Sequence, residues 1–200
     1  TGYDAVLSFG ASGPFYTQIT QDAPFQVFLS ADDKRPKDLV GNGFGVADSR
    51  TTYAIGKLVL WSRSIDVSKG EEALKANAFN KLSIANPTAA PYGAAAVEML
   101  KALGVYAAVE AKIVQGNTIA QAYQFVDTGN AELGFVALSQ LANVAAGSRW
   151  IVPQDLYQPI RQDVVLLKKG ADDAASKAFV AFLKGPEARA IIQKFGYVVE

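Results

Sequence analysis

The sequence contains no cysteine and no histidine among its 200 residues. Without cysteine, the chain cannot form a disulfide, a thiolate nucleophile or a zinc–sulfur site. Without histidine, it lacks the commonest general base, the base of the usual serine triad and the usual ligand of transition metals. These absences disfavour an enzyme, although Asp, Glu, Lys or Tyr could still perform catalysis.

The charges balance, and long apolar runs are missing. Nineteen Lys and Arg residues match nineteen Asp and Glu residues, so the formal net charge is zero at pH 7. Proteins that bind nucleic acid or an anionic membrane usually carry a basic excess, and we expect neither partner here. No apolar run reaches the length of about 18 residues that a transmembrane helix needs. An anionic ligand would have to be held by local dipoles and hydrogen bonds.

Short apolar runs alternate with helical patterns, which predicts an α/β fold with mixed, mostly parallel sheets and flanking helices. The predicted strands cover 5–9, 26–30, 53–62, 82–85, 112–114, 133–138, 150–152 and 163–167. The predicted helices cover 15–20, 36–42, 92–103, 119–126, 139–146, 172–183 and 187–195. The polar segment 62–72 is expected to be a surface loop. Gly104 is expected to end a helix in the left-handed conformation.

In open α/β sheets, ligands bind beyond the carboxyl ends of strands, where helix N-termini supply N–H donors and partial positive charge. The first turn of this kind is 8–15, Ser-Phe-Gly-Ala-Ser-Gly-Pro-Phe. Gly10 and Gly13 allow the backbone to approach a ligand closely. Ser12 is placed as an N-cap, with Pro14 near the first helical position. The Ser12 hydroxyl could bind an anion, or it could simply cap the helix.

Two further turns have the same character. In 85–93, a proline-rich loop opens a helix where Tyr92 offers its N–H and its hydroxyl; alternatively, Tyr92 is a buried side chain packed on the loop. In 114–119, Asn117 or Thr118 should cap a helix whose first N–H belongs to Ile119; ordinary capping is again the alternative. None of the three turns contains Lys, Arg, Asp or Glu. Neutral donors without a proton acceptor suit a fully ionised anion.

At these turns the sequence resembles the molybdate-binding proteins of bacterial ABC transporters, the ModA family. The matching stretches follow the family order over nearly the whole chain: 7–19, 23–34 (APFQVFLSADDK), 53–62 (YAIGKLVLWS), 84–93 (IANPTAAPYG), 131–140 (AELGFVALSQ) and 182–197 (FLKGPEARAIIQKFGY). The phrases PYG and GFVALSQ look like the Azotobacter-type branch of the family.

The resemblance implies a two-lobe, type II periplasmic-binding-protein fold. Lobe I would combine 1–54 with 163–200, and lobe II would span 55–162. A molybdate or tungstate anion would sit in the cleft between the lobes. The resemblance further implies a periplasmic protein that delivers this anion to a membrane ABC permease, with no cofactor and no catalytic residue.

The resemblance also assigns ligand roles residue by residue. Ser12 matches a hydroxyl ligand, Tyr92 matches the contact of the PYG turn, and Ile119 matches a backbone N–H donor. The N–H groups of Ala11 and Gly13 are further expected donors. Ser12, Tyr92 and Ile119 would bind molybdenum or tungsten as part of the oxyanion, and they would not coordinate a bare metal cation. Many family members carry a Tyr where this chain has Ala137, and in the branch resembled Tyr92 supplies a hydroxyl instead.

A second departure concerns the start of the chain. The family normally begins with a further strand and helix, whose turn supplies another hydroxyl ligand. We therefore expect a fragment, or a chain completed by another segment, with unpaired edges on strands 5–9 and 26–30. Anion affinity would then be reduced. The protein is expected to be a monomer unless another chain supplies the strand.

Three alternatives stay open. The same fold could bind sulfate, phosphate or another oxyanion, although a phosphate site often contains a carboxylate that accepts the proton of the ligand. The chain could also be a ligand-sensing regulatory domain, which would need a DNA-binding or signalling partner domain. An enzyme would use Ser12 or Ser139 with a Lys or Asp.

Overall fold

The computed structural model describes residues 2–200, which divide into two compact units. Unit 1 consists of residues 2–55, Arg161–Gln193 and Val198–Glu200. Unit 2 consists of Gly56–Ile160 and Lys194–Tyr197. Each unit contains a β-sheet with helices beside it, so the α/β class predicted from the alternating pattern is confirmed.

A three-stranded sheet with the order β1-β8-β2 forms the centre of unit 1. Its strands are β1 (Val27–Leu29), β2 (Thr51–Gly56) and β8 (Ile160–Leu166). The helices of this part of the chain are α1 (Ser12–Thr20), α2 (Lys34–Gly41), α7 (Ala174–Leu183) and α8 (Pro186–Lys194). Strand β1 runs antiparallel to β8, with Val27 opposite Leu166.

The second half of the central strand of unit 1, residues 164–166, is apolar because both of its faces are covered there. Val165 packs in a cluster with Ile19 of α1 and Leu39 of α2. The neighbouring Val164 lies in a different cluster, with Val180 of α7. Successive strand residues point to opposite faces of a sheet, so a strand covered on both faces becomes a continuous apolar run. Helix α1 is thereby held against one face of the sheet.

A five-stranded sheet with the order β5-β4-β6-β3-β7 forms the centre of unit 2. Its strands are β3 (Leu58–Ser62), β4 (Leu82–Ala85), β5 (Ile113–Gly116), β6 (Leu133–Ala137) and β7 (Ser148–Ile151). Its helices are α3 (Gly70–Ala76), α4 (Pro91–Ala102), α5 (Tyr106–Val109) and α6 (Ile119–Asp127). Strand β4 is parallel to β5 and β6, whereas β3 is antiparallel to β6 and β7. Antiparallel pairing thus has a larger share than the alternating pattern predicted.

Helix α6 is fixed on this sheet by packing and by one buried hydrogen bond. Val126 lies in a core cluster with Trp61 and Val136. The ring of Tyr123 stacks on Trp61, with 5.0 Å between the ring centroids. The hydroxyl of Ser83 in β4 donates to the carbonyl of Ala122 at 2.9 Å. The start of α6 therefore has a defined position relative to the end of β5.

Two strand predictions were wrong. Residues 5–9 form no strand, and their large side chains face solvent, with Val6 98% exposed. A strand needs a neighbour for its N–H and C=O groups, and the described sheet of unit 1 places none beside this segment. The single strand predicted over 53–62 is instead two strands, β2 and β3, in different sheets. Alternating patterns cannot reveal that the hydrogen-bonding partner changes at Lys57.

The helix predicted over 139–146 is only a short 3₁₀ turn, Leu138–Leu141. The carbonyls of Leu141 and Val144 accept hydrogen bonds from the guanidinium of Arg149. The N–H groups of Ala142 and Val144 donate to the carbonyls three residues earlier, those of Ser139 and Leu141, so the segment makes 3₁₀-type turns instead of an α-helix. The loop predicted over 62–72 contains the start of α3. Gly104 does end α4 in the left-handed conformation, with φ of 71°, as predicted.

Among residues 2–200, no single helix is long and apolar enough to cross a membrane. Pro91–Ala102 and Tyr106–Lys112 reach the required length and hydropathy only when counted together, and they are bent by 116°.

Glu132 is a carboxylate that ties the entry of β6 to the segment before β4. Its oxygens accept hydrogen bonds from the N–H of Asn80 (3.1 Å), the side-chain amide of Asn80 (2.9 Å) and the N–H of Lys81 (2.8 Å). Burial raises the pKa of Glu132, but the bonds from Asn80 and Lys81 together outweigh it, so the pKa lies below its usual value. The ionised form is therefore the stabilising form.

We expect Glu132→Gln to lower the free energy of unfolding at neutral pH, because an amide cannot accept as many hydrogen bonds as a carboxylate. A lowered folded-state pKa gives stabilisation above the unfolded pKa of about 4.3, which is lost as the pH falls through the folded pKa. The difference in the free energy of unfolding between the variant and the unchanged protein should become smaller at acidic pH. Urea unfolding at neutral pH and at about pH 3 measures it.

Glu72→Gln is the matched control for this experiment. The Glu72 side chain is 73% exposed, and its pair with Lys69 spans 3.5 Å on the surface of the protein. Such surface pairs contribute about 0–1 kcal/mol, so this variant should differ little from the unchanged protein at either pH. A stability gap for Glu132→Gln that has the same size at both pH values would contradict the assigned role of the carboxylate.

Candidate functional site

Ser12 lies inside α1 as its first residue, and Ala11 is the N-cap, with φ −78° and ψ 147°. The prediction that Ser12 caps this helix was wrong, because Ala11 occupies the N-cap position and Ser12 is the first helical residue. Instead, the Ser12 oxygen accepts the N–H of Ala31, just beyond β1, at 3.0 Å. Ser12 is 6% exposed. The hydroxyl is therefore held between the start of α1 and the end of β1.

This contact leaves the Ser12 hydroxyl suited to act as a donor. A serine hydroxyl has one hydrogen and two lone pairs, and the Ala31 N–H occupies one lone pair. The first N–H groups of a helix have no acceptor inside the helix, and here they belong to Ser12 and Gly13, since Pro14 has none. The positive end of the helix dipole lies at the same place. Ala11 and Gly13, predicted as further donors, flank Ser12 at this helix start.

In unit 2, the other two predicted turns lie side by side. Strands β4 and β5 are parallel neighbours, so their carboxyl ends meet at one edge of the sheet. The N–H of Asn86, just after β4, donates to the carbonyl of Gly116, the last residue of β5, at 2.7 Å. Tyr92 follows Asn86 and Ile119 follows Gly116 within a few residues. The structure thus brings Tyr92 and Ile119 to the same sheet edge.

Two glycines allow these helices to start close to the strands. A Cβ atom at Gly93 would lie 2.1 Å from the carbonyl oxygen of Ala85, the last residue of β4. A Cβ atom at Gly116 would lie 2.7 Å from the backbone nitrogen of Ala122 in α6. Both positions exclude any side chain unless the backbone moves. The helix N-termini are therefore packed directly on the carboxyl ends of β4 and β5.

Tyr92 and Ile119 occupy the first turns of α4 and α6. Pro91 is the first residue of α4 and has no N–H, so the first N–H of that helix belongs to Tyr92, which is 4% exposed. Thr118 caps α6 by accepting the N–H of Gln121 at 3.1 Å, which confirms the predicted cap. Ile119 then supplies the first N–H of α6.

The chemistry that these helix starts share is donation of uncharged hydrogen bonds. Their residues carry amide and hydroxyl hydrogens, and the surrounding turns contain no charged side chain. Helix N-termini of this kind favour anions. Among residues 2–200, no group of three or more Asp, Glu, Cys or His side chains could hold a metal cation.

Two residues of this region were missed by sequence reasoning. Ala31 orients Ser12, but the two are 19 residues apart and only the fold brings them together. Gln140 bonds both Ala137 and Ile119 through its side-chain amide. The only sequence signal for Gln140 is a polar residue directly after a buried strand, which is too common to single it out.

The structure places Ala11, Ser12 and Gly13 together in unit 1, and Tyr92 and Ile119 together in unit 2. That a single anion contacts both groups stays a prediction.

Comparison with known proteins agrees with these features. The family model of the bacterial extracellular solute-binding proteins matches residues 1–198. A ModA molybdate-binding protein from Rhodobacter capsulatus is 56% identical over 200 residues, covering 100% of this chain and 79% of that protein. A ModA protein from Azotobacter vinelandii is also 56% identical, covering 98% of this chain and 80% of that protein.

The solved periplasmic molybdate-binding protein from Azotobacter vinelandii superposes with a TM-score of 0.95 at 43% identity. The match covers 100% of this chain and 89% of that structure. The predicted periplasmic-binding-protein fold is thereby confirmed, and these similar proteins are named as binding proteins. The chain belongs to the bacterial extracellular solute-binding proteins and, within them, to the ModA family.

Proposed function

We propose that this protein captures molybdate or tungstate and delivers it to an ABC transporter. The observation that supports the proposal is the hydrogen bond from the Ala31 N–H to the Ser12 hydroxyl oxygen. This contact leaves the hydroxyl hydrogen as a donor for a ligand. Identity of 56% to proteins named molybdate-binding supports the choice of ligand. On this proposal the protein works in the periplasm, hands the anion to a membrane permease, needs no cofactor and catalyses no reaction.

We assign the anion to donors at three helix starts. The Ser12 hydroxyl and the N–H groups near it, including those of Ala11 and Gly13, supply one group. Tyr92 and the N–H of Ile119 supply the other. Each charge-assisted hydrogen bond contributes about 1.5–3 kcal/mol, so a handful of them offsets the desolvation of a dianion. No side-chain charge is needed.

The donors also determine which anions fit. A carboxylate in the site would accept the proton of a ligand that is still protonated at neutral pH, as phosphate is. The three turns contain no Asp or Glu, so a protonated ligand would place its hydrogen against other hydrogens. This favours a dianion without a proton, and its size then separates molybdate and tungstate from sulfate.

Calorimetric titration with molybdate, tungstate, sulfate and phosphate tests the proposal. We expect tight binding of molybdate and tungstate, weaker binding of sulfate and none of phosphate. Because the anion binds only the folded chain, a thousandfold excess over Kd should add about 4 kcal/mol to the free energy of unfolding. Tighter binding of sulfate than of molybdate would identify a sulfate-binding protein. No heat and no shift of Tm with any of the four anions would refute the proposal.

A further inference from the structure

Gln140 links the carboxyl end of one strand to the amino end of one helix. It lies in the 3₁₀ turn Leu138–Leu141, directly after β6, and is partly buried. The N–H of Ala137, the last residue of β6, donates to Gln140 Oε1 at 2.9 Å. Gln140 Nε2 donates to the carbonyl oxygen of Ile119, the first residue of α6, at 3.2 Å. One side chain thus satisfies a donor and an acceptor on two different elements.

The contact with Ala137 compensates for the end of the sheet. Strand β6 pairs with β4 only through Leu133 and Gly134 in the described register. The N–H of Leu138 donates toward β3, to the carbonyl of Lys57. Successive N–H groups of a strand point to opposite edges, so the N–H of Ala137 points away from β3, beyond the last pairing with β4. Gln140 supplies the acceptor that the sheet no longer offers there.

The contact with Ile119 ties the first peptide group of α6 to the turn after β6. The carbonyl of Ile119 and the N–H of Ala120 belong to one planar peptide group and point in opposite directions. Fixing that carbonyl therefore fixes the direction of the Ala120 N–H and the position of Ile119 at the helix start. The Thr118 cap holds the N–H of Gln121 but not this peptide group. The neutral amide provides a donor and an acceptor on two separate atoms without adding a negative charge beside an anion.

We propose that Gln140 is a positioning residue for the oxyanion site, acting through the first turn of α6. The inference rests on the proposed function, because Ile119, which Gln140 holds in place, supplies an N–H that is assigned to the anion. A rigid set of donors discriminates between tetrahedral anions of different size, whereas a set that can shift accommodates both. Gln140 therefore controls the affinity for molybdate and also the preference for molybdate over sulfate.

The test compares Gln140→Met with the unchanged protein by calorimetric titration with molybdate and with sulfate. Methionine has a similar length but forms neither hydrogen bond. We expect the Kd for molybdate to rise about fivefold, the effect of losing one neutral hydrogen bond. The ratio of the sulfate Kd to the molybdate Kd should fall, while the stoichiometry stays the same. Gln154→Met is the matched control, because Gln154 also donates to a backbone carbonyl of unit 2, that of Tyr157, at 2.9 Å.

The outcomes separate this inference from the proposed function. If the unchanged protein binds molybdate and Gln140→Met retains both the Kd and the ratio, the positioning role is wrong and the proposed function stands. A lower stoichiometry or Tm at an unchanged ratio shows a purely structural role and also overturns the inference. If the unchanged protein binds neither anion, the proposed function itself fails. Should Gln140→Met not fold, Gln140→Asn replaces it, since its amide is one methylene too short to reach both partners.

Discussion

Replacing Ser12 by alanine is expected to raise the Kd for molybdate about 10- to 150-fold, the loss of one charge-assisted hydrogen bond worth about 1.5–3 kcal/mol. The side chain is buried at the start of α1, and its oxygen already accepts the Ala31 N–H. The hydroxyl hydrogen is not used in that contact, so it can be donated to a dianion without rearrangement of the helix. Calorimetric titration measures the change.

Thr20→Ala is the control for Ser12→Ala. Thr20 is in the last turn of the same helix, where its hydroxyl donates to the carbonyl of Thr17 at 2.8 Å, so its removal should leave the Kd unchanged. Ser12→Ala also leaves the Ala31 N–H without its acceptor, which lowers stability. The calorimetric stoichiometry reports the folded fraction and separates this loss from a weaker site. An unchanged Kd at full stoichiometry would show that the Ser12 hydroxyl does not contact the anion.

The elements that frame the site were predictable because their sequence patterns are local. The predicted strand 82–85 is β4, and the helix predicted over 119–126 is α6 with one residue added. The strand is a short apolar run that ends at a turn rich in small residues, and the helix begins directly after the capping residue Thr118. Such signals depend on neighbours within a few residues, and a single sequence contains them in full.

Elements that depend on distant partners were not predictable in this way. Residues 5–9 form a short apolar run of the kind that predicts a strand, but they have no strand neighbour in the described sheets and they are exposed. Lys57 separates two strands that read as one continuous strand in the sequence, although they belong to different sheets. The guanidinium of Arg149 binds the carbonyls of Leu141 and Val144, in a segment that forms 3₁₀-type turns where an α-helix was predicted. In each case, the structure depends on contacts, or on the lack of contacts, with residues that are distant in the sequence, and a local pattern does not contain that information.

The same distinction applies within the candidate site. Glycine and hydroxyl residues at the ends of strands marked the turns of Ser12, Tyr92 and Ile119. The pattern placed Ser12 one position too early relative to the helix, as its cap instead of its first residue. Its orienting partner, Ala31, has no distinctive side chain, because the backbone N–H makes the contact. Sequence reasoning therefore located the candidate donors but could not identify the residues that orient them.

Substituting Gly93 by alanine should weaken molybdate binding about 10- to 150-fold and cost about 1–3 kcal/mol of stability. The new Cβ would lie 2.1 Å from the carbonyl oxygen of Ala85 and 2.9 Å from the carbonyl carbon of Asn86. Both atoms belong to the backbone, so no side chain can rotate away and the start of α4 must move. Tyr92 precedes Gly93 directly, and its N–H and hydroxyl would move with the helix. Titration gives the Kd, and urea unfolding gives the stability.

Gly41→Ala is the control that separates the effect of a steric clash with the backbone from the effect of replacing a glycine. A Cβ at Gly41, the last residue of α2, would meet no atom within 4 Å, and the residue does not have a positive φ. This variant should bind molybdate normally and be slightly stabilised, by about 0.4–1 kcal/mol, because alanine restricts the unfolded chain. If Gly93→Ala binds as tightly as Gly41→Ala, then contact between α4 and the end of β4 does not position an anion donor, and Tyr92 must be removed from the site.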